Sequence, residues 1–159
     1  MVLSGKKLSK KCQINVTEWN FNQLKKPIKQ IWNMKTVYIK STNKTPEVNM
    51  DLASGEFKIA GRSIAENPKE FYEPIIREIE NYAEKPKSKS VFEIYFEYLS
   101  TASTIFVMKI LTALKKLSES GKKVELILQY DDDDTDMLEK FQAMSQIVNV
   151  DARFQPVAA

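Results

Sequence analysis

Histidine is absent from the 159-residue sequence, and cysteine occurs once, as Cys12. Without histidine the chain has no Ser-His-Asp nucleophile, no histidine metal ligand and no imidazole to act as a general base near neutral pH. A single cysteine forms no internal disulfide and no Cys-x-x-Cys pair, and it fits a reducing compartment. No spacing of carboxylates indicates an acid and base pair either. We therefore expect a protein that is not an enzyme.

Glycine and long apolar runs are also scarce. The four glycines match neither G-x-x-x-x-G-K nor G-x-G-x-x-G, so the sequence lacks a glycine-rich loop for a nucleotide. No apolar run approaches the roughly 20 residues that span a bilayer, and the N-terminus lacks the apolar stretch of a signal peptide. We expect a cytoplasmic protein with no cofactor and no membrane span.

Charge is distributed unevenly along the chain. Residues 1–41 contain nine lysines and one acid, for a charge of +8, whereas the remaining residues contain 15 bases and 20 acids, for −5. Lysines interleaved with Trp19, Phe21, Trp32 and Tyr38 suit a nucleic-acid-binding segment, but a solvated extension has the same composition. We expect residues 1–33 to form a basic extension, with disorder as one interpretation, ahead of a single domain over residues 34–159.

Four segments between residues 47 and 130 alternate strictly between apolar and polar residues. Such alternation is typical of strands with one buried and one solvated face, and the first two segments form a hairpin. Strands buried on both faces would be nearly continuous apolar runs. The pattern therefore predicts a two-layer α/β domain, with a mixed sheet and helices mainly on one face. The residues assigned to the apolar face are Val48, Met50 and Leu52, then Phe57 and Ile59, then Phe92, Ile94, Phe96 and Tyr98, and finally Val124, Leu126, Leu128 and Tyr130.

Three further segments have helical periodicity. The first begins with Asn67 as a predicted N-cap and Pro68 at the first helical position, and we expect Pro74 to kink or restart it. The second begins near Ala102 and stops before Gly121. A third helix follows, and residues 152–157 are compatible with a last edge strand. The residues predicted to face the sheet are Phe71, Ile75, Ile79 and Tyr82, then Val107, Ile110, Leu111, Leu114 and Leu117, and then Met137, Leu138, Phe141, Met144 and Ile147.

Four hydroxyl side chains lie where the third of these strands ends and the second helix begins. Ser100, Thr101, Ser103 and Thr104 occupy five positions after Leu99. One of them is explained as a cap for the free backbone N–H groups of the helix. The others are indifferent helix formers, and a helix N-terminus also favours negative charge. The cluster is therefore either a capped helix start or a site for a phosphoryl group or another anion.

The order of several motifs resembles the SiaC family of bacterial regulatory phosphoproteins over about residues 45 to 141. The motifs are TPEV, SGEFKIAGRSIAENPKEFYEPI, YLSTAS before an amphipathic helix, and VELILQYDDDDTDMLE. Family members are similar in architecture to STAS-type anti-anti-sigma factors and act by partner switching. The resemblance implies a histidine-kinase-like Ser/Thr protein kinase, a PP2C-type phosphatase, and a target that binds the unmodified form, such as a diguanylate cyclase.

The resemblance also implies site residues. In the family the phosphoacceptor is the threonine of a Y-L-N-T-S-S-like turn, which corresponds to Thr101, with Ser100 and Ser103 as alternates. The expected partner-binding residues are Ser100, Ser103, Thr104, Arg62, Glu66 and Asn67. The sequence departs from the family at Ser100, where asparagine is usual, and in GRSIAEN, which lacks the tyrosine and proline of GRSYPEN. The basic extension lies outside the resemblance.

Residues 131–134 are all aspartate, and Asp136 follows them. The run lacks the D-x-D-x-D-G spacing and the distal glutamate of an EF-hand, so we expect a solvated loop and a helix N-terminus and no metal site. The alternative to the signalling function is a nucleic-acid-binding module that uses the basic aromatic extension; nucleic acid is not the partner that we expect.

Overall fold

Six strands form one mixed sheet in the computed structural model, which describes residues 36–158. Their order in the sheet is their order in the sequence. Neighbours from β1 to β3 are antiparallel, and neighbours from β3 to β6 are parallel. The strands are β1 (Thr36–Ile39), β2 (Glu47–Asp51), β3 (Glu56–Ser63), β4 (Lys89–Leu99), β5 (Lys123–Asp131) and β6 (Arg153–Val157).

Three helices connect the parallel strands. They are α1 (Pro68–Glu84), α2 (Thr101–Glu119) and α3 (Thr135–Val148). Alternate residues of β2 to β5 join residues of these helices in one apolar core, so the predicted α/β architecture with a mixed sheet is confirmed. The predicted apolar stripe of α2 is also confirmed, because all five of its residues are buried. The other sheet face carries polar residues such as Lys58 and Glu97, which are exposed.

The end of β4 differs from the predicted alternation. Arg62 of β3 pairs with Tyr98, although the preceding Gly61 pairs with Phe96, so Glu97 is an extra residue in β4. Such a bulge reverses the faces of the residues that follow it. Tyr98 is 53% exposed and Leu99 only 2% exposed, so the assignment of Tyr98 to the apolar face was wrong. Gly61 has a φ of 125° at this irregularity, a conformation that glycine adopts readily.

Three details of the helices also differ from the predictions. Asn67 occupies the N-cap position of α1, but its side chain makes no capping hydrogen bond. The same helix continues through Pro74, so the predicted alternative of a restart is wrong, and Tyr72 and Ile75 on either side of the proline are buried. Ile147 is 70% exposed, so its place on the apolar stripe of α3 was wrong. Val148 is turned towards the core in its place.

The last predicted strand is confirmed as β6, which pairs with β5 at the edge of the sheet. The predicted basic extension over residues 1–33, and the boundary before residue 34, lie outside the described residues. Both therefore stay predictions.

Candidate functional site

The hydroxyl cluster lies at the edge of the sheet where the parallel strands end and the helices begin. Each of β3, β4 and β5 is followed by a helix, so the N-termini of α1, α2 and α3 share this edge. Free N–H groups and the helix dipole give a helix N-terminus a partial positive charge. The turn between Leu99 and Thr101 belongs to the central helix of the three, because α2 contacts both α1 and α3. We call this edge, with residues 62–67 and 99–104, the helix-start edge.

Ser100 is the N-cap of α2. Its backbone is extended, with φ −68° and ψ 154°, and its Oγ accepts a hydrogen bond from the backbone N–H of Ser103 at 3.2 Å. The capping half of the sequence interpretation is therefore correct for Ser100. Its hydroxyl also donates to the Oγ of Ser103 at 3.0 Å, so this side chain is engaged in the helix start.

The other three hydroxyl residues differ in how exposed they are to solvent. Ser103 is 0% exposed, so its side chain does not reach the surface of the folded domain. Thr104 is half-buried, and its Oγ1 donates to the carbonyl of Ser100 at 3.0 Å. Thr101 is exposed at the first position of the helix, and its hydroxyl makes no hydrogen bond within residues 36–158. Of the four hydroxyl side chains, only that of Thr101 belongs to an exposed residue.

Contacts from three other elements hold the turn in place. The backbone N–H of Ser100 donates to the carbonyl of Ser63 at 2.9 Å, which joins the end of β3 to the start of α2. The buried hydroxyl of Ser63 lies 2.6 Å from the hydroxyl of Tyr72 in α1. Burial raises the pKa of Tyr72 to about 12. The turn before Thr101 is therefore joined to the end of β3 and, through Ser63, to α1.

Lys140 of α3 supplies the third contact, which sequence reasoning missed. Its Nζ donates a hydrogen bond to the backbone carbonyl of Leu99 at 3.2 Å. Because Leu99 is two residues before Thr101, the Lys140 ammonium group lies at this turn. The Lys140 ammonium group therefore brings a positive charge to the turn. The contact joins residues 41 positions apart, and no periodicity or motif in the sequence indicates it.

Two apolar side chains near the turn are exposed, although neither of them was assigned to the surface from the sequence. Ile105 lies one turn after Thr101 on the outer side of α2 and is 59% exposed. Further along this side, the Nζ of Lys109 lies 5.0 Å from the centre of the Phe106 ring. Tyr98 lies before the turn, on the sheet face away from the helices. Large apolar residues at the surface are frequent anchors of protein interfaces.

The remaining predicted partner-binding residues lie at the same edge but are not gathered around Thr101. Arg62 is exposed beside Tyr98 in the sheet register. Glu66 pairs with Lys44 from the loop between β1 and β2, and this hydrogen bond and charge hold the pKa of Glu66 below its ordinary value. Asn67 is exposed at the start of α1. These three residues extend the edge towards β2 and α1.

The acidic run has local structural roles. Asp134 is the N-cap of α3 and accepts a hydrogen bond from the N–H of Met137 at 2.9 Å. Asp131 ends β5 and accepts from the hydroxyl of Tyr95 at 2.9 Å. Asp132 and Asp133 are exposed in the loop. Across residues 36–158, no three acidic or cysteine side chains are grouped so that they could hold a metal ion.

No helix within the described part of the chain is long and apolar enough to cross a membrane. The chain is similar to several known proteins. An uncharacterized protein of Pseudomonas aeruginosa (strain UCBPP-PA14) is 28% identical over 98 residues, which are 62% of this chain and 78% of the relative. The solved structure of SiaC of Pseudomonas aeruginosa is 25% identical, with a TM-score of 0.68 over 79% of this chain and 100% of that one.

A further solved structure contains SiaC of Pseudomonas aeruginosa in complex with the diguanylate cyclase SiaD, which it activates. It has the same fold, with a TM-score of 0.71 and 23% identity over 76% of this chain and 99% of that one. The family model for SiaC family regulatory phosphoproteins matches residues 39–157, which includes every described strand and helix except the start of β1. The description of this family is a regulatory and not a catalytic one, in agreement with the expectation that the chain is not an enzyme. The chain belongs to the SiaC family of regulatory phosphoproteins.

Proposed function

We propose that this protein binds a target protein through the surface around Thr101, and that phosphorylation of Thr101 switches this binding off. The observation that carries the proposal is the difference among the four hydroxyls. Ser100, Ser103 and Thr104 are engaged in the helix start, whereas Thr101 is exposed and makes no hydrogen bond within residues 36–158. A kinase can reach this hydroxyl without unfolding the turn.

The proposed reaction transfers the γ-phosphoryl group of ATP to Oγ1 of Thr101. An O–P bond forms at the threonine, the bond between the γ-phosphorus and ADP breaks, and the hydroxyl proton is released. A PP2C-type phosphatase reverses the modification by hydrolysis, with inorganic phosphate as the product. We propose a histidine-kinase-like Ser/Thr kinase as the donor enzyme and the cytoplasm, which contains ATP, as the compartment.

The structure supports modification without refolding. A phosphoryl group adds about −1.5 to −2 charges at neutral pH. The N-terminus of α2 accepts negative charge, with a gain of about 0.3–1 kcal/mol, and Lys140 lies close to the turn. Because Thr101 is exposed, the added group extends into solvent and displaces no core residue. The fold of the modified protein is therefore expected to persist.

The same charge has a larger effect in an interface. A change from 99% to 1% target occupancy needs about 5.5 kcal/mol of differential affinity. Desolvation of an unpaired charge costs several kcal/mol or more, so burial of the phosphoryl group against an apolar partner supplies a change of this size. Ile105 lies one helical turn from Thr101 and gives the unmodified surface an apolar anchor. We therefore attribute the switch to disruption of the interface.

A diguanylate cyclase is the proposed class of target. The support is the solved complex in which a relative with the same fold activates such a cyclase. The alternative function, nucleic-acid binding through the basic extension, has no support from the family match, because that match begins at residue 39.

The test is site-mapping mass spectrometry of the protein from its native host, before and after treatment with a PP2C-type phosphatase. We expect a phosphatase-sensitive species that is heavier by one phosphoryl group, with the modification at Thr101. Repeated absence of this species across growth conditions, or modification only at another residue, contradicts the assignment. The Thr101→Val variant, which removes the hydroxyl and keeps the shape of the side chain, is the control for site mapping.

A further inference from the structure

The sheet face away from the helices has a concave acidic region. Residues of β3, β4, β5 and β6 line a concavity of about 510 Å³ that opens to solvent. We call this region the open face. Its lining includes Lys58, Ala60, Tyr95, Glu97, Gln129 and Asp131. It does not include the hydroxyl cluster of the helix-start edge.

Carboxylates outnumber cations across the open face. The strand registers place Glu47 beside Ala60 and Glu93 beside Lys58, so both acids lie on the same sheet side as Glu97 and Asp131. Lys58 and Arg62 of β3 are the cations on this side near these acids, which leaves four carboxylates against two cationic groups. Lower on the same side the charges are compensated, because Glu125 pairs with Lys89 at 3.0 Å and with Arg153 at 3.3 Å. The excess negative charge is therefore concentrated around the concavity.

Tyr95 lies among these carboxylates and is hydrogen-bonded to one of them. Burial and the hydrogen bond to Asp131 raise the pKa of Tyr95 to about 12, and the charges of Asp131, Glu97 and Asp134 act in the same direction. The Tyr95 ring and the half-buried side chains of Ala60 and Val157 provide apolar surface beside the carboxylates. A partner that suits the open face combines several cations with large apolar side chains.

Residues 1–35 of the same chain have this composition. They contain eight lysines and one glutamate, for a net charge of 8 − 1 = +7, together with both tryptophans of the protein, Trp19 and Trp32. The segment is joined directly to Thr36, the first residue of β1. We propose that this basic segment docks on the acidic open face of its own sheet.

The tether makes this partner physically accessible. From β1 to β5 the sheet has four strand spacings, a distance of about 19 Å at about 4.8 Å per spacing. Ten extended residues span about 33 Å, so fewer than a third of the 35 residues are needed to cross the face. A tethered segment also has a local concentration in the millimolar range. Docking within one molecule is therefore favoured over capture of a free cationic partner.

The two tryptophans allow a direct test on the full-length protein. Because both lie in the segment, tryptophan emission and anisotropy report its surroundings alone. At low salt we expect blue-shifted emission and high anisotropy, and at about 1 M salt, where the Debye length is about 3 Å, a red shift and a loss of anisotropy. Glu97→Lys with Glu93→Lys is expected to produce the released values already at low salt. Glu70→Lys with Glu80→Lys, two exposed acids of α1, makes the same charge change away from the open face and should behave as wild type.

A second measurement uses the wild-type protein, so it does not depend on whether a variant folds. A zero-length reagent that couples carboxylates to amines is applied to a mixture of unlabelled and ¹⁵N-labelled protein, and the linked peptides are mapped by mass spectrometry. We expect links between lysines of residues 1–35 and Glu93, Glu97 or Asp131, within one isotopic form. Any one of three results overturns the proposal. They are tryptophan signals that do not change with salt, links that join only different molecules, and links to other acids in place of Glu93, Glu97 and Asp131. The test does not involve Thr101, so its outcome is independent of the proposed phosphorylation switch.

Discussion

The Oγ of Ser100 accepts a hydrogen bond from the backbone N–H of Ser103, and the two hydroxyls are 3.0 Å apart. This relationship fixes the first turn of α2 and leaves Thr101, between them in sequence, with its side chain in solvent. Capping and modification were competing interpretations of the same four residues. In the folded chain they concern different residues, since Ser100 caps the helix and Thr101 remains accessible.

Thr101→Asp is expected to weaken binding of a diguanylate cyclase target at least tenfold relative to Thr101→Ala, because the aspartate introduces charge at the proposed contact. Both variants should unfold within about 0.5 kcal/mol of wild type, since the side chain is exposed. Titration calorimetry and urea unfolding measure the two quantities. Thr112→Asp is the matched control, because Thr112 is also exposed on α2 but lies 11 residues further along the helix, about 16 Å away. Equal binding by Thr101→Asp and Thr101→Ala would contradict the charge mechanism.

Ser100→Ala is expected to lower the free energy of unfolding by about 1 kcal/mol, because it removes the N-cap of α2. Urea unfolding followed by far-ultraviolet circular dichroism measures this loss. Ser100→Asn restores a good capping side chain and should recover most of the stability. A Ser100→Ala protein as stable as wild type would show that the cap contributes little here.

Lys140→Met is expected to lower stability by about 1 kcal/mol, since the carbonyl of Leu99 loses a charged donor. The change in stability on phosphorylation of Thr101 should also be less favourable in the Lys140→Met protein than in wild type. Thermal unfolding of both forms of each variant measures this difference. Lys140→Arg retains the charge and should resemble wild type; an equal effect of phosphorylation in all three proteins would remove Lys140 from the account of the switch.

Tyr72→Phe removes one partner of the buried contact between Tyr72 and Ser63. The remaining Ser63 hydroxyl is buried, so we expect a loss of about 1–3 kcal/mol. Adding Ser63→Ala removes the unsatisfied group and should recover part of this loss. A double-mutant cycle from urea unfolding gives the coupling energy, and a value near zero would show that the two hydroxyls act independently.

Stability is expected to fall at alkaline pH partly through Tyr72. Its pKa is raised from 10.0 to about 12 in the folded protein, so the unfolded chain loses this phenolic proton first. The contribution of Tyr72 is therefore fully present below pH 10 and disappears as the pH rises towards 12. Urea unfolding at a series of alkaline pH values should show a smaller decline for Tyr72→Phe than for wild type. An identical decline would indicate that Tyr72 ionises equally in both states.

Local patterns predicted much of this fold. The alternation of β2 and β3 and the stripe of α2 depend on which residues are apolar, and these features agree with the structure. The bulge at Glu97 was not predictable in this way, because Tyr98 and Leu99 are both large and apolar and either fits the core. The contact of Lys140 with Leu99 depends on how α3 packs beside α2, and sequence spacing carries no information about that geometry.

The candidate site could also be predicted only in part from the sequence. Thr101 came from the family motif, but the burial of Ser103 depends on the rotation of the first turn of α2, which the Ser100 cap determines. Ile105 was left out of the predicted apolar stripe of α2 and was not named as a surface residue, because no sequence pattern marks an exposed isoleucine on the outer side of a helix.

The extra residue in β4 decides which way the end of the strand faces. Glu97 has no partner in the register, so Tyr98 faces outward opposite Arg62 and Leu99 faces the core opposite Ser63. Removal of Glu97 would restore regular pairing and leave both residues on the faces that they occupy now, whereas regular pairing that retained Glu97 would turn Tyr98 inward and Leu99 outward. The bulge, and not the number of residues in β4, therefore fixes the side from which the chain enters α2 at Thr101.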